Sequence, residues 1–117
     1  MILIVGGKAS GKYEYAKTLG FFESDFSDGI LENDKCCVNH LEQLVAASPE
    51  DAMDKLPLLL TKKIVICDEI GCGIVPMDRQ QRVIREETGR LCIELAKQAS
   101  AVVRMVCGIP TVIKGEL

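Results

Sequence analysis

Residues 2–13 read Ile2-Leu3-Ile4-Val5-Gly6-Gly7-Lys8-Ala9-Ser10-Gly11-Lys12-Tyr13, an apolar run followed by a glycine-rich loop and a lysine. The apolar run is typical of a β-strand, and the residues after the loop are typical of a helix. The glycines tolerate positive φ and lack a Cβ, so the loop amides can point inward at an anion. The helix N-terminus and Lys12 add positive charge. Together these features predict a phosphate-binding loop that comprises residues 6–13.

The spacing of the glycines and the lysine is that of the P-loop of nucleoside triphosphate-binding proteins, with one departure. Tyr13 stands where a serine or threonine ordinarily offers its hydroxyl to Mg²⁺. A tyrosine oxygen lies about 6 Å from its own Cα, so it cannot replace a serine Oγ unless the loop moves. We therefore expect this substitution to impair Mg²⁺-assisted chemistry more than it impairs ATP or GTP binding. The alternative is an ordinary glycine-rich turn that matches the spacing by chance.

Length and charge limit the class of protein. The 117 residues predict one domain, residues 1–117, which has room for a hydrophobic core. The net charge is -3 and there is no polybasic segment, so nucleic acid is not expected as a partner. No apolar run approaches the ~18 residues needed to span a bilayer, and the apolar N-terminus lacks the features of a signal peptide. We expect a cytoplasmic protein.

Strand-like and helix-like segments alternate along the chain, which predicts an α/β fold. The run Ile64-Val65-Ile66-Cys67 is continuously apolar, as expected of a strand buried on both faces of a parallel sheet. We expect a P-loop NTPase-type, mostly parallel sheet of four to five strands flanked by helices. Strands are predicted at 2–5, 35–38, 64–67 and 101–107, and 111–113 would make the fifth.

Turn and cap residues place the remaining elements. The first helix is predicted from Lys12 to about residue 19, ending at Gly20, and residues 27–29 are predicted to form a turn. Asn39 is predicted to cap the next helix. Further helices are predicted from residue 48 to about 60, with a proline at its first position, and from residue 78 to 100.

Two carboxylates, Asp68 and Glu69, follow the central apolar run at its carboxyl end, where open α/β sheets bind their ligands. Phosphoryl transfer needs positive charge at the phosphates, a held Mg²⁺ and a carboxylate near the attacking hydroxyl. Lys12 would supply the charge, Asp68 would hold Mg²⁺ through a water, and Glu69 would orient or deprotonate the acceptor. We therefore predict these three as catalytic residues and Asp68 as the metal ligand. Alternatively, both carboxylates cap the next loop or pair with an arginine.

Arginines recur every three residues on the last predicted helix, at positions 79, 82 and 85, so they lie along one side of it. They are candidates for clamping phosphates, and Arg90 is a fourth. The alternative, favoured for Arg79 and Arg85, is a solvated face whose arginines pair with the nearby Glu86 and Glu87.

The cysteines fit neither a disulfide framework nor a zinc site. There are six, and none has C-x-x-C spacing: Cys36, Cys37, Cys67, Cys72, Cys92 and Cys107. We expect most of them to be small, buried and reduced. An extended backbone at Cys36-Cys37 would place the two side chains on opposite faces.

The string Asp68-Glu69-Ile70-Gly71-Cys72-Gly73-Ile74-Val75-Pro76 resembles the bifunctional adenosylcobinamide kinase and adenosylcobinamide-phosphate guanylyltransferase family. The P-loop is similar to that of the family, as are Arg79, Arg82, Arg85, Gly89-Arg90, Gly108-Ile109-Pro110 and Lys114. The resemblance implies a RecA-related fold that acts late in cobalamin assembly. There the nucleotide phosphorylates the aminopropanol hydroxyl of adenosylcobinamide and supplies GMP. It also implies a homo-oligomer, a trimer.

The chain departs from that family in its middle. Family members carry a histidine that becomes guanylylated, with an arginine at short spacing after it, whereas the single histidine here, His40, is followed by Leu41-Glu42-Gln43-Leu44. We therefore expect no guanylyltransferase activity, and we interpret His40 as a surface or capping side chain.

Three functions fit these observations. The first is a cobinamide kinase-type enzyme that uses ATP or GTP. The second is a catalytically impaired P-loop paralogue that acts as a nucleotide-binding or regulatory subunit, which Tyr13 and the shortened middle favour. The third is a structural subunit of an oligomer. Turnover supports the first, binding that barely depends on Mg²⁺ supports the second, and no binding leaves the third.

Overall fold

The computed structural model describes residues 1–69 and 78–117, and these residues form one sheet with helices on both of its faces. The strands are β1 Ile2–Gly6, β2 Phe26–Asp28, β3 Cys37–Asn39, β4 Ile64–Asp68, β5 Ala101–Val106 and β6 Ile109–Gly115. Their order across the sheet is β2-β3-β4-β1-β5-β6. All neighbours are parallel except the β5–β6 pair. The predicted α/β fold with a mostly parallel sheet is confirmed.

The helices pack on the two faces of this sheet. They are α1 Lys12–Thr18, α2 Leu41–Ala47, α3 Leu56–Leu59 and α4 Arg79–Gln98, with 3₁₀ helices at Glu23–Asp25 and Pro49–Lys55. Leu3 of β1 packs in a core shared with α2 and α4, whereas its neighbour Ile4 packs in the core that includes Ala16 of α1. Because side chains alternate along a strand, one strand serves both cores.

The strand register brings the functional residues to one edge. β1 lies between β4 and β5, with Gly6 beside Asp68 on one side and beside Met105 on the other. On β2 and β3, Asp28 is paired with Asn39. Because these strands are parallel, their carboxyl ends all meet at the same edge of the sheet, where ligands of α/β proteins bind.

The sheet has one strand that the sequence did not predict, and another that is longer than predicted and antiparallel to its neighbour. Residues 27–29 were predicted as a turn, but residues 26–28 form β2 and pair with β3, and only Gly29 (φ 72) turns the chain. The fifth strand, expected at 111–113, is the longer β6, which runs antiparallel to β5 after a tight turn. A three-residue edge strand and a two-residue hairpin turn give little apolar periodicity to detect.

Two helix predictions were wrong in detail. Residues 48–60 form a 3₁₀ helix followed by one turn of α-helix, where one continuous helix was expected. Asn39 is the last residue of β3 and not the helix cap; the cap position is His40, in left-handed backbone. The Asn39 side chain instead accepts a hydrogen bond from the backbone N–H of His40, at 2.9 Å.

The cysteines are mostly as expected. Cys37 and Cys67 are buried, Cys36 and Cys92 are partly buried, and all five described cysteines are free. Cys107 is the exception, because it lies in the β5–β6 turn with φ 51 and is exposed. The Sγ atoms of Cys36 and Cys37 lie 3.7 Å apart, so the two side chains do not diverge to opposite faces. Cys72, the loop glycines Gly71 and Gly73, and the helix-entry proline Pro76 lie outside the described residues.

Among the helices in the described part of the chain, none is long and apolar enough to cross a bilayer.

The core on the α1 face should be sensitive to truncation. Ile66 is completely buried, whereas Ile93 on α4 is 58% exposed. We expect Ile66→Ala to lower the free energy of unfolding by about 2–5 kcal/mol, and the matched control Ile93→Ala to change it by less than about 0.5 kcal/mol. Urea unfolding measures both values. Equal losses would contradict this packing.

Candidate phosphate-binding site

The loop between β1 and α1 has a shape that depends on glycine. A Cβ on Gly6 would lie 2.6 Å from Ser10 Oγ and 2.7 Å from the backbone oxygen of Met105, too close for either contact. Gly11 caps α1 in left-handed backbone with φ 92. The N–H of Gly108 donates to the carbonyl of Ser10 at 3.0 Å, which ties the loop to the β5–β6 turn.

Lys12, the predicted charge donor, is 7% exposed and its ammonium has two partners. Nζ donates to the carbonyl of Gly7 at 2.7 Å and pairs with Oδ1 of Asp68 at 2.8 Å. A buried charge needs such partners because it has lost its water. The structure thus brings together two of the three predicted catalytic residues at the carboxyl end of the central strands.

A cavity of about 350 Å³ opens over the loop. Its lining includes most of the predicted loop residues, Asp68, and four residues from the end of β3 and the start of α2. The full set is Lys8, Ala9, Ser10, Gly11, Lys12, Tyr13, Glu14, Asn39, His40, Glu42, Gln43 and Asp68. We call this space the phosphate cavity. Gly6 and Gly7, the first two predicted binding residues, are not among the lining residues.

Two polar atoms at the phosphate cavity are buried without a hydrogen-bond partner in the described structure. They are the hydroxyl of Ser10, a residue that is 9% exposed, and Oε2 of Glu42. Buried polar atoms are nearly always paired, because leaving one unpaired costs free energy. The Ser10 hydroxyl is therefore available to donate a hydrogen bond to a ligand at the phosphate cavity.

Sequence reasoning missed Glu42 and did not assign His40 to the site. The other carboxylate oxygen of Glu42, Oε1, accepts a hydrogen bond from the backbone N–H of Asp68 at 2.8 Å. His40 was interpreted as a surface or capping residue; it does occupy the cap position of α2, and it also lines the phosphate cavity, where its Nδ1 contacts Oδ1 of Asp28. Both residues follow β3 closely in the chain. Ligand-binding residues of α/β proteins commonly follow the carboxyl ends of parallel strands, and this rule could have identified both.

Tyr13, at the position of the usual serine, packs its ring edge-on against Phe26 of β2, with 5.1 Å between ring centroids. The ammonium of Lys17 lies 4.5 Å from the centre of the same ring. Burial raises the pKa of the Tyr13 phenol above its ordinary value, and three carboxylates raise it further: Glu23, Asp28 and Glu14. The phenol therefore stays protonated at neutral pH and is a hydrogen-bond donor there.

Glu69, the third predicted catalytic residue, does not line the phosphate cavity. Its carboxylate pairs with Nε of Arg104 on β5 at 3.0 Å, which is the alternative that the sequence left open. Its backbone N–H donates to the carbonyl of Gly6 at 2.7 Å and continues the β1–β4 ladder.

The arginines of α4 also lie away from the phosphate cavity. None of the four is among its lining residues. Arg79 and Arg90 line a separate cavity of about 780 Å³ between α4 and the 3₁₀ helix at Pro49–Lys55. Arg90 pairs with Glu87 at 3.3 Å, as expected of a solvated helix face.

The described residues contain no group of three or more histidine, cysteine, aspartate or glutamate side chains placed to hold a metal ion. Mg²⁺, however, is usually held by one or two carboxylates together with waters and substrate phosphates. A single carboxylate such as Asp68, beside a phosphate loop, therefore fits this ion.

A family model described as cobinamide kinase / cobinamide phosphate guanyltransferase matches residues 25–113. The chain belongs to this family. The match extends from the 3₁₀ helix before β2 into β6 and begins after the phosphate loop, so the loop geometry is an independent observation. Membership places the chain among kinases and transferases of cobalamin biosynthesis. A search of curated proteins found no significant match.

The crowding at Gly6 gives a matched pair of variants. Gly6→Ala puts a methyl group against Met105 and Ser10, whereas a methyl group on Gly7 meets nothing within 4 Å. We expect Gly6→Ala to lower the free energy of unfolding by about 1–3 kcal/mol, and Gly7→Ala to change it by less than about 1 kcal/mol. Denaturant unfolding measures both values. Equal losses of unfolding free energy in the two variants would contradict the described loop.

Proposed function

We propose that the chain binds ATP or GTP in the phosphate cavity and transfers the γ-phosphoryl group to the alcohol of adenosylcobinamide. The observation that carries the proposal is the buried Lys12 paired with Asp68, in a cavity that the unpaired Ser10 also lines, in a member of a cobinamide kinase family. A phosphate chain in this cavity would meet a buried cation, a hydroxyl donor and the loop amides. A biosynthetic role of this kind fits a cytoplasmic protein.

Lys12 would change partners when the nucleotide binds. Its ammonium is held by the Gly7 carbonyl and the Asp68 carboxylate, 2.7 and 2.8 Å away. A β- or γ-phosphate oxygen offers it another anionic partner, and the pair with Asp68 would then lengthen. Asp68 would be released to hold Mg²⁺ through a water, and Mg²⁺ would neutralise charge that builds up on the phosphates.

Glu69 retains its proposed role only if it leaves Arg104, because its carboxylate is 3.0 Å from that guanidinium and outside the cavity lining. The proposal does not extend to guanylyl transfer, since His40 lacks the arginine that follows the acceptor histidine in the family.

A second candidate function is nucleotide binding without transfer, as a regulatory subunit. The observation that favours it is Tyr13, whose ring is packed against Phe26 and whose position ordinarily supplies a Mg²⁺ ligand. Under this alternative the affinity for nucleotide would hardly depend on Mg²⁺, and no phosphorylated cobinamide would form.

The two functions are separated by one titration and one assay. We expect fluorescent ATP or GTP to bind the parent, and Lys12→Ala to weaken binding at least 100-fold, the loss of about two charge-assisted hydrogen bonds. The control is Lys63→Ala, an exposed lysine before β4. Incubation with γ-labelled nucleotide and adenosylcobinamide should label the cobinamide.

The titration and the labelling assay together distinguish the two functions. Labelled cobinamide supports the kinase, and binding without label supports the regulatory subunit. If Lys12→Ala binds as tightly as the parent while urea unfolding shows it to be folded, the proposed site is wrong.

The proposal includes self-association through β6. Every residue of this edge strand is exposed, including three large apolar side chains: Ile109, Val112 and Ile113. An exposed apolar edge strand is a surface that a second copy can cover. A trimer is the assembly that the family resemblance implies.

A charged side chain introduced on β6 should therefore dissociate the oligomer. We expect light scattering after gel filtration to give a multiple of 12.8 kDa for the parent and close to 12.8 kDa for Ile113→Lys. Ile93→Lys, which places the same charge at an exposed isoleucine on α4, should leave the mass unchanged. A monomeric parent would contradict this part of the proposal.

A further inference from the structure

A second cavity, also of about 350 Å³, adjoins the phosphate cavity. Its lining combines two aromatic rings with polar side chains: Tyr13, Glu23, Phe26, Asp28, Asn39 and His40. Three of these residues, Tyr13, Asn39 and His40, line both cavities. A molecule in the second cavity would therefore meet a phosphate chain in the first at these three side chains. We call this space the acceptor cavity.

His40 lies at the junction of the two cavities, with hydrogen-bonding contacts on its backbone and on its ring. Its backbone is left-handed, with φ 56 and ψ 56, a conformation that costs a non-glycine residue free energy and persists only where the surroundings fix it. Two contacts hold it in this conformation. The Asn39 carbonyl oxygen Oδ1 accepts the His40 backbone N–H at 2.9 Å, and the carboxylate of Asp28, on the neighbouring strand, contacts the ring nitrogen Nδ1.

The Asp28 contact decides which ring nitrogen carries the proton. An ionised carboxylate can only accept a hydrogen bond, so Nδ1 must be the donor. In the neutral imidazole the other nitrogen, Nε2, then has a lone pair. Within the described part of the chain Nε2 has no hydrogen-bond partner, and it is therefore available to accept a proton.

We propose that the acceptor cavity binds the alcohol that is phosphorylated and that His40 Nε2 is the general base that takes its proton. The inference rests on the proposed kinase function. The proton of the acceptor hydroxyl passes to Nε2 while the oxygen forms a bond to the γ-phosphorus. The bond from that phosphorus to the β–γ bridging oxygen breaks, and the nucleoside diphosphate leaves with its electron pair.

The lining fits an alcohol on a short, partly apolar arm. The Tyr13 and Phe26 rings, in edge contact at 5.1 Å, offer apolar surface, and the cavity volume admits a small fragment but not a whole corrinoid. The arm would enter while the rest of the acceptor stays outside. Asp28 acts through His40 and is a positioning residue.

The chain contains a single histidine, so its imidazole is a unique spectroscopic reporter. We expect ¹⁵N NMR of the full chain, recorded on the neutral imidazole, to show a protonated Nδ1 and an unprotonated Nε2. Adding adenosylcobinamide together with a non-hydrolysable ATP or GTP analogue should shift the Nε2 signal. The opposite tautomer, or an Nε2 signal that does not respond to the acceptor, would overturn the assignment without any measurement of activity.

Transfer rates test the base itself. His40→Gly removes the imidazole and suits the left-handed backbone. We expect it to lower the rate of phosphoryl transfer to adenosylcobinamide by about 10²–10⁴-fold and to be partly rescued by added imidazole. Asp28→Asn should lower kcat with little change in KM, and the control Asp34→Asn, an exposed carboxylate outside both cavities, should match the parent.

The outcomes separate this inference from the function on which it rests. If the parent transfers phosphate and His40→Gly does so equally fast, the base assignment is overturned and the kinase function stands. If the parent binds no nucleotide, the proposed function fails and the base role fails with it. Stable labelling of His40 by the nucleotide would make it a nucleophile and would overturn its role as a base.

Discussion

The parallel pairing of β1 with β4 is the constraint on which the site depends. Its register sets Gly6 beside Asp68, and the Glu69 N–H extends the ladder to the Gly6 carbonyl at 2.7 Å. At that point β1 also lies against β5, which leaves no room for a Cβ on Gly6. After Gly6 the chain leaves the sheet and returns in α1, where Nζ of Lys12 lies 2.8 Å from the Asp68 carboxylate.

The same edge of the sheet collects the other polar residues of the site. Asp28 and Asn39 end two neighbouring strands, and His40 and Glu42 begin the chain segment that leaves β3. Asp28 and Asn39 each contact His40, and Glu42 accepts a hydrogen bond from the backbone N–H of Asp68. A shift of one residue in the β2–β3 register would exchange the faces of these side chains, so strand pairing fixes the site as much as the loop does.

Much of this arrangement was predictable from sequence, and the rest was not, for physical reasons. The P-loop spacing and the apolar run before Asp68 are local signals, and the loop, the central strands and the assignment of Lys12 and Asp68 to one site follow from them; the direct ion pair between the two was not predicted. The pairing of Asp28 with His40 depends on a three-residue strand that has no periodicity to read, so β2 was taken for a turn. The ion-pair partner of Glu69 could not be identified from the sequence either. Arg104 lies on β5, which is far from Glu69 in the sequence and comes close to it only through the pairing of strands in the sheet.

The central claim is that the main-chain amides of residues 6–13 and the Lys12 ammonium hold the phosphates of a nucleotide. Amide ¹H–¹⁵N shifts of the isotope-labelled chain, recorded as ATP or GTP is added, test it most directly. We predict that the largest shift changes fall on residues 6–13 and on Asp68, whose partner Lys12 is drawn away. Saturable changes confined to other parts of the chain, or none at millimolar nucleotide, would contradict the account.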